Sequence, residues 1–410
     1  MGSSRGVILL AFVLGLGQAG CALGPRVLHC NQRDYNEAMK RNDEEELLLN
    51  LVRLRYNDDI GLLNTNAITA QYELQGQASA VPFFSLGAAD RVITRILPAA
   101  GISGAERPTF SMAPVMDAGV YRRWLKTLDD TDLAGLTELS WPAATIFRLW
   151  FQYANGIPNA VAASGPSREV SSESDQFKAG MCLLQVMKDR EWCAFSTEDK
   201  ISVLGGPLPA DSVTPAALLE AVRNGYEYRR QDDKTWVLAQ TRKNLVLKIS
   251  PEADAQPEVV QFREIFHLKR DVHTFPLQIV SAEPRSASPS TNRTTLNLVP
   301  RSGIQLYYYL AHGVCVPEKH LGSLAPATPG VTAGQVTEGL FCVQHVRQHC
   351  RPKNAHIAVK YHGYWFYIPE EDAASKSTFN LVLLVSRIEF GLNAGSKPPA
   401  GPMLTLPVGR

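Results

Sequence analysis

Three observations predict an α+β fold for this chain. Helical periodicities gather before about residue 230, strand-like alternation takes over after Asp232, and neither texture repeats. The composition is that of an ordinary globular protein: 410 residues, 45% hydrophobic and 20% charged, enough for one large or two medium cores.

The first helix is read from "NDEEELLLNLVRLRYND". Asn42 with Glu45 resembles a capping box, and acids in the first turn suit the electropositive helix end. Leu47, Leu48, Leu51, Val52 and Leu54 form the apolar stripe. "LNTNAITAQYELQGQ" predicts a strand. The small, Gly-rich stretch 78–105 fits a strand pair, a mobile loop or a membrane-facing flap, and its pattern does not choose between them. "ERPTFSMAPV" reads as a short extended segment broken by prolines. Val120, Trp124 and Leu128 then repeat at helical spacing. In "SWPAATIFRLWFQYANGIP", Ile146, Leu149, Trp150 and Tyr153 predict a helix that stops at Asn155-Gly156. "ESDQFKAGMCLLQVMKDRE" and "TPAALLEAVRNGYEYRR" predict two more helices, and "SGPSREVSSE" a linker.

Farther on, "KTWVLAQTRKNLVLKIS" reads as a hairpin and "PEVVQFREIFHLK" as a helix. "FPLQIVS" precedes a turn-rich stretch, "RSGIQLYYYLAHGV" is a helix, and "EGLFCVQHV" is a strand. Residues 375–392 form a final apolar helix, followed by an extended Pro/Gly-rich tail. The organisation expected is a leader at 1–21, a helix-rich region at 22–230, an α+β region at 231–393 and a tail at 394–410, with 22–393 as one cooperative domain.

The stretch "KYHGYWFYIPEED" carries the most specific prediction. With His362-Gly363 as a two-residue turn, Tyr361 faces Tyr364, Val359 faces Phe366 and Ile357 faces Ile368. That face is core. The other presents Lys360, Trp365 and Tyr367, the residues assigned to binding, with Lys360 placed to lie across Trp365. Glu370, Glu371 and Asp372 introduce the final helix at its electropositive end.

The N-terminus reads "MGSSRGVILLAFVLGLGQAGCALG": Arg5, an apolar run from Val7 to Leu16, then small residues up to Cys21. This is the pattern of a secretory signal, too short for a permanent span. "QAGC" resembles the bacterial lipobox at Ala19, Gly20 and Cys21, while Gln18 stands where an aliphatic residue is usual. The resemblance implies a lipid on Cys21 and hence a bilayer partner; cleavage nearby would instead give a soluble secreted protein. Ala22 is not the Asp that retains such proteins at the inner membrane, so the rule points to the outer one.

Six further cysteines, at 30, 182, 193, 315, 342 and 350, would meet an oxidising compartment. Cys182 with Cys193 is one local disulfide and Cys342 with Cys350 another, against buried free thiols.

Lys plus Arg (41) nearly balances Asp plus Glu (40), which gives no electrostatic reason to expect nucleic acid. No G-x-S-x-G, H-E-x-x-H, Walker A or C-x-x-C motif is present, and no cofactor or catalytic residue is assigned. "CVQHVRQHC" offers Cys342, His345, His349 and Cys350 as a metal-like cluster, but strand periodicity puts Cys342 and His345 on opposite faces. His267 and His273 with Glu264 form a looser cluster. Asp58-Asp59 and Asp129-Asp130 sit in turn-like contexts and are read as solvated.

Together "LLLNLVRLRY", "ERPTFSMAP", "YHGYWFYIPEEDAASKSTFNLV" and "MLTLPVG" resemble an uncharacterised family of bacterial exported lipoproteins, over residues 35–408. The resemblance implies export, lipid anchoring and a single cooperative architecture, and carries over no site. The expected function is a non-enzymatic binding or scaffolding role with an envelope protein partner. The alternative is a periplasmic hydrolase whose site assembles from distant residues.

Overall fold

The computed structural model describes residues 32–61, 63–85, 93–114, 118–138, 141–166, 174–232, 234–281, 293–324, 336–391 and 405–407. The leader and Cys21 lie outside the described residues, as do most of the 164–173 linker and of the stretch 283–293. The chain is α+β and divides into two compact units. One comprises the described residues up to Ile60 and Arg122–Val385, the other Gly61–Tyr121 and the residues from Ser386 on. The sequence boundary at 230/231 does not divide the structure. It falls inside an antiparallel pair, β7 (Glu227–Asp232) and β8 (Thr235–Ile249), where Arg230 faces Trp236.

The smaller unit is built on a long antiparallel pair, β1 (Leu63–Ser85) with β2 (Ile93–Pro114), in register from Leu63↔Pro114 to Ser85↔Ile93. Of the readings open for 78–105, the strand pair is the one observed. "ERPTFSMAP" is the continuous second half of β2 and not a short segment. β14 (Thr405–Pro407), within the tail, pairs with β2.

In the larger unit, α1 runs over residues 32–55. It starts ten residues before Asn42, so Asn42 is interior and caps nothing. The stripe is core: Leu48, Leu51 and Val52 are fully buried. After α2 (Ala118–Leu125) and α3 (Asp130–Glu138), α4 (Ala143–Trp150) passes directly into β3 (Phe151–Ala154). Asn155 (φ 48°) and Gly156 (φ 83°) then turn the chain into β4 (Ile157–Pro158). Asn-Gly is therefore a hairpin turn here and not a helix stop, because two consecutive left-handed residues are what a type I′ turn requires.

α5 (Ser174–Asp189) packs on α4 and on α7 (Pro257–Ile265). Gly180 makes the α5–α7 approach feasible: a Cβ there would sit 2.4 Å from the Phe266 ring. β5 (Cys193–Val203), β6 (Leu208–Pro209) and β7 all pair with β8. The predicted hairpin over 234–250 is thus one strand. Arg242 and Lys243 mark its exposed middle and not a turn, while Val246, Leu247 and Ile249 return it to the core. The sheet runs β4-β3-β10-β9-β8-β5, with β9 (Thr274–Ile279) parallel to β10 (Leu296–Pro300). α6 (Pro215–Arg223), capped by Thr214, buries Ala221 and leaves Leu219 and Val222 exposed.

α8 (Gly303–Ala311) follows β10, and between them lies Arg301, 1% exposed. Its guanidinium donates to the carbonyls of Arg148, Leu149, Phe151 and Asn159 and to Ser164 Oγ, and stacks 4.1 Å from the Tyr309 ring. Burial lowers its pKa to about 10, still charged at neutral pH. The charge is met by carbonyl dipoles, which is how a buried cation without a carboxylate can be accommodated.

The last elements form a second sheet of the same unit, ordered β11 (Gln344–Val346), β13 (Tyr364–Pro369), β12 (Ala355–Tyr361). α9 (Ala373–Gly391) follows. Asp372 caps it, accepting the Ser375 N–H at 3.0 Å and the Ser375 hydroxyl at 2.6 Å.

Candidate functional site

The β12–β13 hairpin has the register its alternation predicts: Tyr361↔Tyr364, Lys360↔Trp365, Val359↔Phe366 and Ile357↔Ile368. Its turn is His362 (φ 44°) and Gly363 (φ 82°). Phe366 and Ile368 are fully buried. β11 covers the other edge of β13, with His345 opposite Phe366.

At the turn end, the core face of the hairpin runs out into a cluster of phenols and imidazoles. Tyr56 approaches from the end of α1. It stands four residues past Val52, so the apolar stripe itself aims it, and its N–H bonds back to the Val52 and Arg53 carbonyls. Its ring lies 5.4 Å from Tyr361, 5.3 Å from His362, 5.8 Å from His320 and 6.1 Å from Phe366. Burial pushes the Tyr56 phenol up to about 12, so it stays protonated and can donate to His320 Nδ1, 2.8 Å from its oxygen.

His320 comes from the 3-10 turn Glu318–Ser323 and stands edge-on to Tyr364 at 5.2 Å. His345 flanks Tyr364 from β11, and Arg347 stands over the same ring, 6.0 Å from its centre. On the outer side, Tyr361 donates its hydroxyl to Asp58, whose Oδ2 is also 3.9 Å from His362 Nε2. Burial, then the Asp58 carboxylate, raise the Tyr361 phenol to about 12. Asp58 is therefore not merely solvated; it anchors the hairpin tip. Asp129 caps α3, accepting the Asp132 N–H, and pairs with Lys126.

The residues assigned to binding from sequence lie on the opposite face. Lys360 is exposed, and Trp365 and Tyr367 are half-buried. The Tyr367 hydroxyl donates to Gln344 at 3.0 Å. The Trp365 indole N–H is shielded and has no acceptor among the described residues. Among the described residues the cation over a hairpin ring is Arg347 on Tyr364 and not Lys360 on Trp365. Sequence reasoning thus finds the hairpin and its rings, reads Asp58 as solvated and His345 as part of a metal-like cluster, and misses Tyr56, His320 and Arg347.

The other predicted groupings come apart. Cys182 and Cys193 are free thiols: Cys182 is on the exposed side of α5, and Cys193 is buried at the start of β5, where desolvation raises its pKa to about 12. Cys342 and Cys350 are likewise unbridged, since Cys350 is exposed while Cys342 is turned towards Cys315. Within "CVQHVRQHC", His345 joins Tyr364 and Phe366, and His349 and Cys350 face solvent. Glu264 pairs with Arg270, and His273 with Asp254, which also binds the buried Arg263; among the described residues His267, His273 and Glu264 form no group that could hold a metal ion. Glu370 pairs with Lys376 and His356.

No family model, curated protein or solved structure matches this chain.

Proposed function

We propose that the chain is an exported cell-envelope protein, lipid-anchored through Cys21 on the periplasmic face of the outer membrane. There it binds or scaffolds another envelope protein through the β12–β13 hairpin. One observation carries the binding reading. Tyr361, Tyr364, Trp365 and Tyr367 are all half-buried on one short hairpin, with His362 and Lys360 exposed beside them. Rings held in place by β11, Tyr56 and Asp58 present contact area without needing to be ordered on binding. Tyr, Trp and Arg are the residue types that dominate protein contact energies. The anchor reading is supported by the apolar run and "AGC" of the leader.

Two measurements test it. Mass spectrometry of the mature N-terminus is expected to show an acylated Cys21; an unmodified terminus beyond it refutes anchoring. Affinity capture from detergent-solubilised membranes is expected to retain a partner with the wild-type chain. Trp365→Ala and Tyr364→Ala should lower that retention about tenfold each, as loss of ~1.4 kcal/mol does. Undiminished capture by folded variants refutes the hairpin as the contact surface.

A further inference from the structure

Cys315 and Cys342 were not paired by any sequence argument, yet the fold brings their sulfurs to 3.9 Å. The approach is built by backbone. After α8 the chain makes a parallel bridge, Val314↔Val343. The Cys315 N–H donates to the Val343 carbonyl and the Val343 N–H to the Gly313 carbonyl, both at 2.9 Å. Gly313 is required at this crossing: a Cβ would stand 2.6 Å from the Phe341 carbonyl oxygen. The Cys342 N–H is held by Ser375 Oγ at 2.8 Å, at the start of α9. Both thiols are half-buried, neither closed off like Cys193 nor isolated like Cys182.

We propose that Cys315 and Cys342 form a disulfide when the chain meets a disulfide oxidant, stapling the base of the loop that carries His320 to the ring cluster. A separation of 3.9 Å is that of two thiols in contact, and the bonded distance of about 2.05 Å is reached by side-chain rotation while the registered backbone stays in place. The Cys315 thiolate attacks one sulfur of the oxidant's disulfide, forming a mixed disulfide and releasing one thiol. Cys342 then gives up its proton and attacks the Cys315 sulfur, releasing the second thiol. The pair loses two protons and two electrons, and the oxidant gains both. The order follows from the contact of the two sulfurs, in which the hydrogen bond with Cys342 lowers Cys315 to about 7 while Cys342 is raised. The closed ring spans the 3-10 turn Glu318–Ser323, so the bond limits how far His320 can leave Tyr56.

Tryptic mapping is well suited to the test. Cleavage after Arg301, Lys319 and Arg347 puts Cys315 alone in 302–319 and Cys342 alone in 320–347. The purified full chain is equilibrated with oxidised and reduced glutathione, free thiols are capped with iodoacetamide, and the digest is read with and without reduction. The expected result is one linked species, two hydrogens lighter than the two peptides together, which separates on reduction. Its rate of formation should rise as pH passes through about 7. Oxidation should also raise the unfolding midpoint by roughly 5 °C, an increase abolished in the Cys315→Ser/Cys342→Ser double variant. Full capping of both cysteines under oxidising glutathione, or a link from either to Cys182, Cys193 or Cys350, overturns the proposal. The mapping uses the unaltered chain, so it decides even if the double variant fails to fold.

Discussion

Two hairpins in the larger unit turn on the same backbone. Asn155-Gly156 joins β3 to β4 and His362-Gly363 joins β12 to β13, with φ values of 48° and 83° in the first and 44° and 82° in the second. Their leading side chains do opposite things. Asn155 is 2% exposed; its amide donates to the Phe266 and Thr295 carbonyls and its oxygen accepts the Asn297 N–H. His362 is exposed and meets the rim formed by Tyr56, Tyr361, His320 and Asp58. The turn asks of its first residue only tolerance of a left-handed conformation. Whether that residue is a strut or a contact is decided by what packs around it.

The largest expected effect challenges the idea that the second hairpin is peripheral at all. Phe366 is fully buried, so Phe366→Ala should lower unfolding stability by ~3–5 kcal/mol, read from denaturant melts. A loss comparable to that of a surface substitution would mean the ring cluster rests on no core. Next, Asn155→Ala should cost ~2–3 kcal/mol, because three side-chain hydrogen bonds are lost, one of them to the buried Phe266 carbonyl, and Ala must hold a positive φ. The smallest effect is His362→Asn, expected within ~0.5 kcal/mol of wild type, since Asn suits this turn position at least as well. If His362→Asn proves as damaging as Asn155→Ala, both turns are struts and the contrast fails.

Alternation made the second hairpin readable. Tyr361, Val359 and Ile357 against Tyr364, Phe366 and Ile368 gave a register with one solution, and Leu47 to Leu54 gave an equally clear helix face. The first hairpin was hidden by a competing period. Ile146, Leu149, Trp150 and Tyr153 keep helical spacing across the point where α4 ends, so Asn-Gly looked like a stop signal. "KTWVLAQTRKNLVLKIS" reads as a hairpin, whereas β8 is one strand that carries charge at Arg242 and Lys243, where its middle is exposed. The candidate site was largely illegible for a different reason. Tyr56 and His320 are 264 positions apart, and Tyr361 and Asp58 303 apart. No local pattern connects them. The stripe ending at Val52 and the rings at 361–367 were each visible, but not that one completes the other.

Arg301 has a consequence for the order in which the molecule can be assembled. The carbonyls of Arg148, Leu149 and Phe151 precede it by 150 or more positions, and that of Asn159 by 142. A chain delivered from its N-terminus has made all of α4, β3 and β4 long before their shared donor arrives. Until then the Asn159 amide can serve the Arg148 and Phe151 oxygens, but those of Leu149 and Asn159 lack the guanidinium, and the segment cannot complete its buried core. The packing of α4, β3 and β4 is therefore completed only once residue 301 is in place, and long-range closure of this kind is slow. A product cut short before residue 301 would lack the guanidinium that ties these four carbonyls together and present itself as unfinished to any protease it meets.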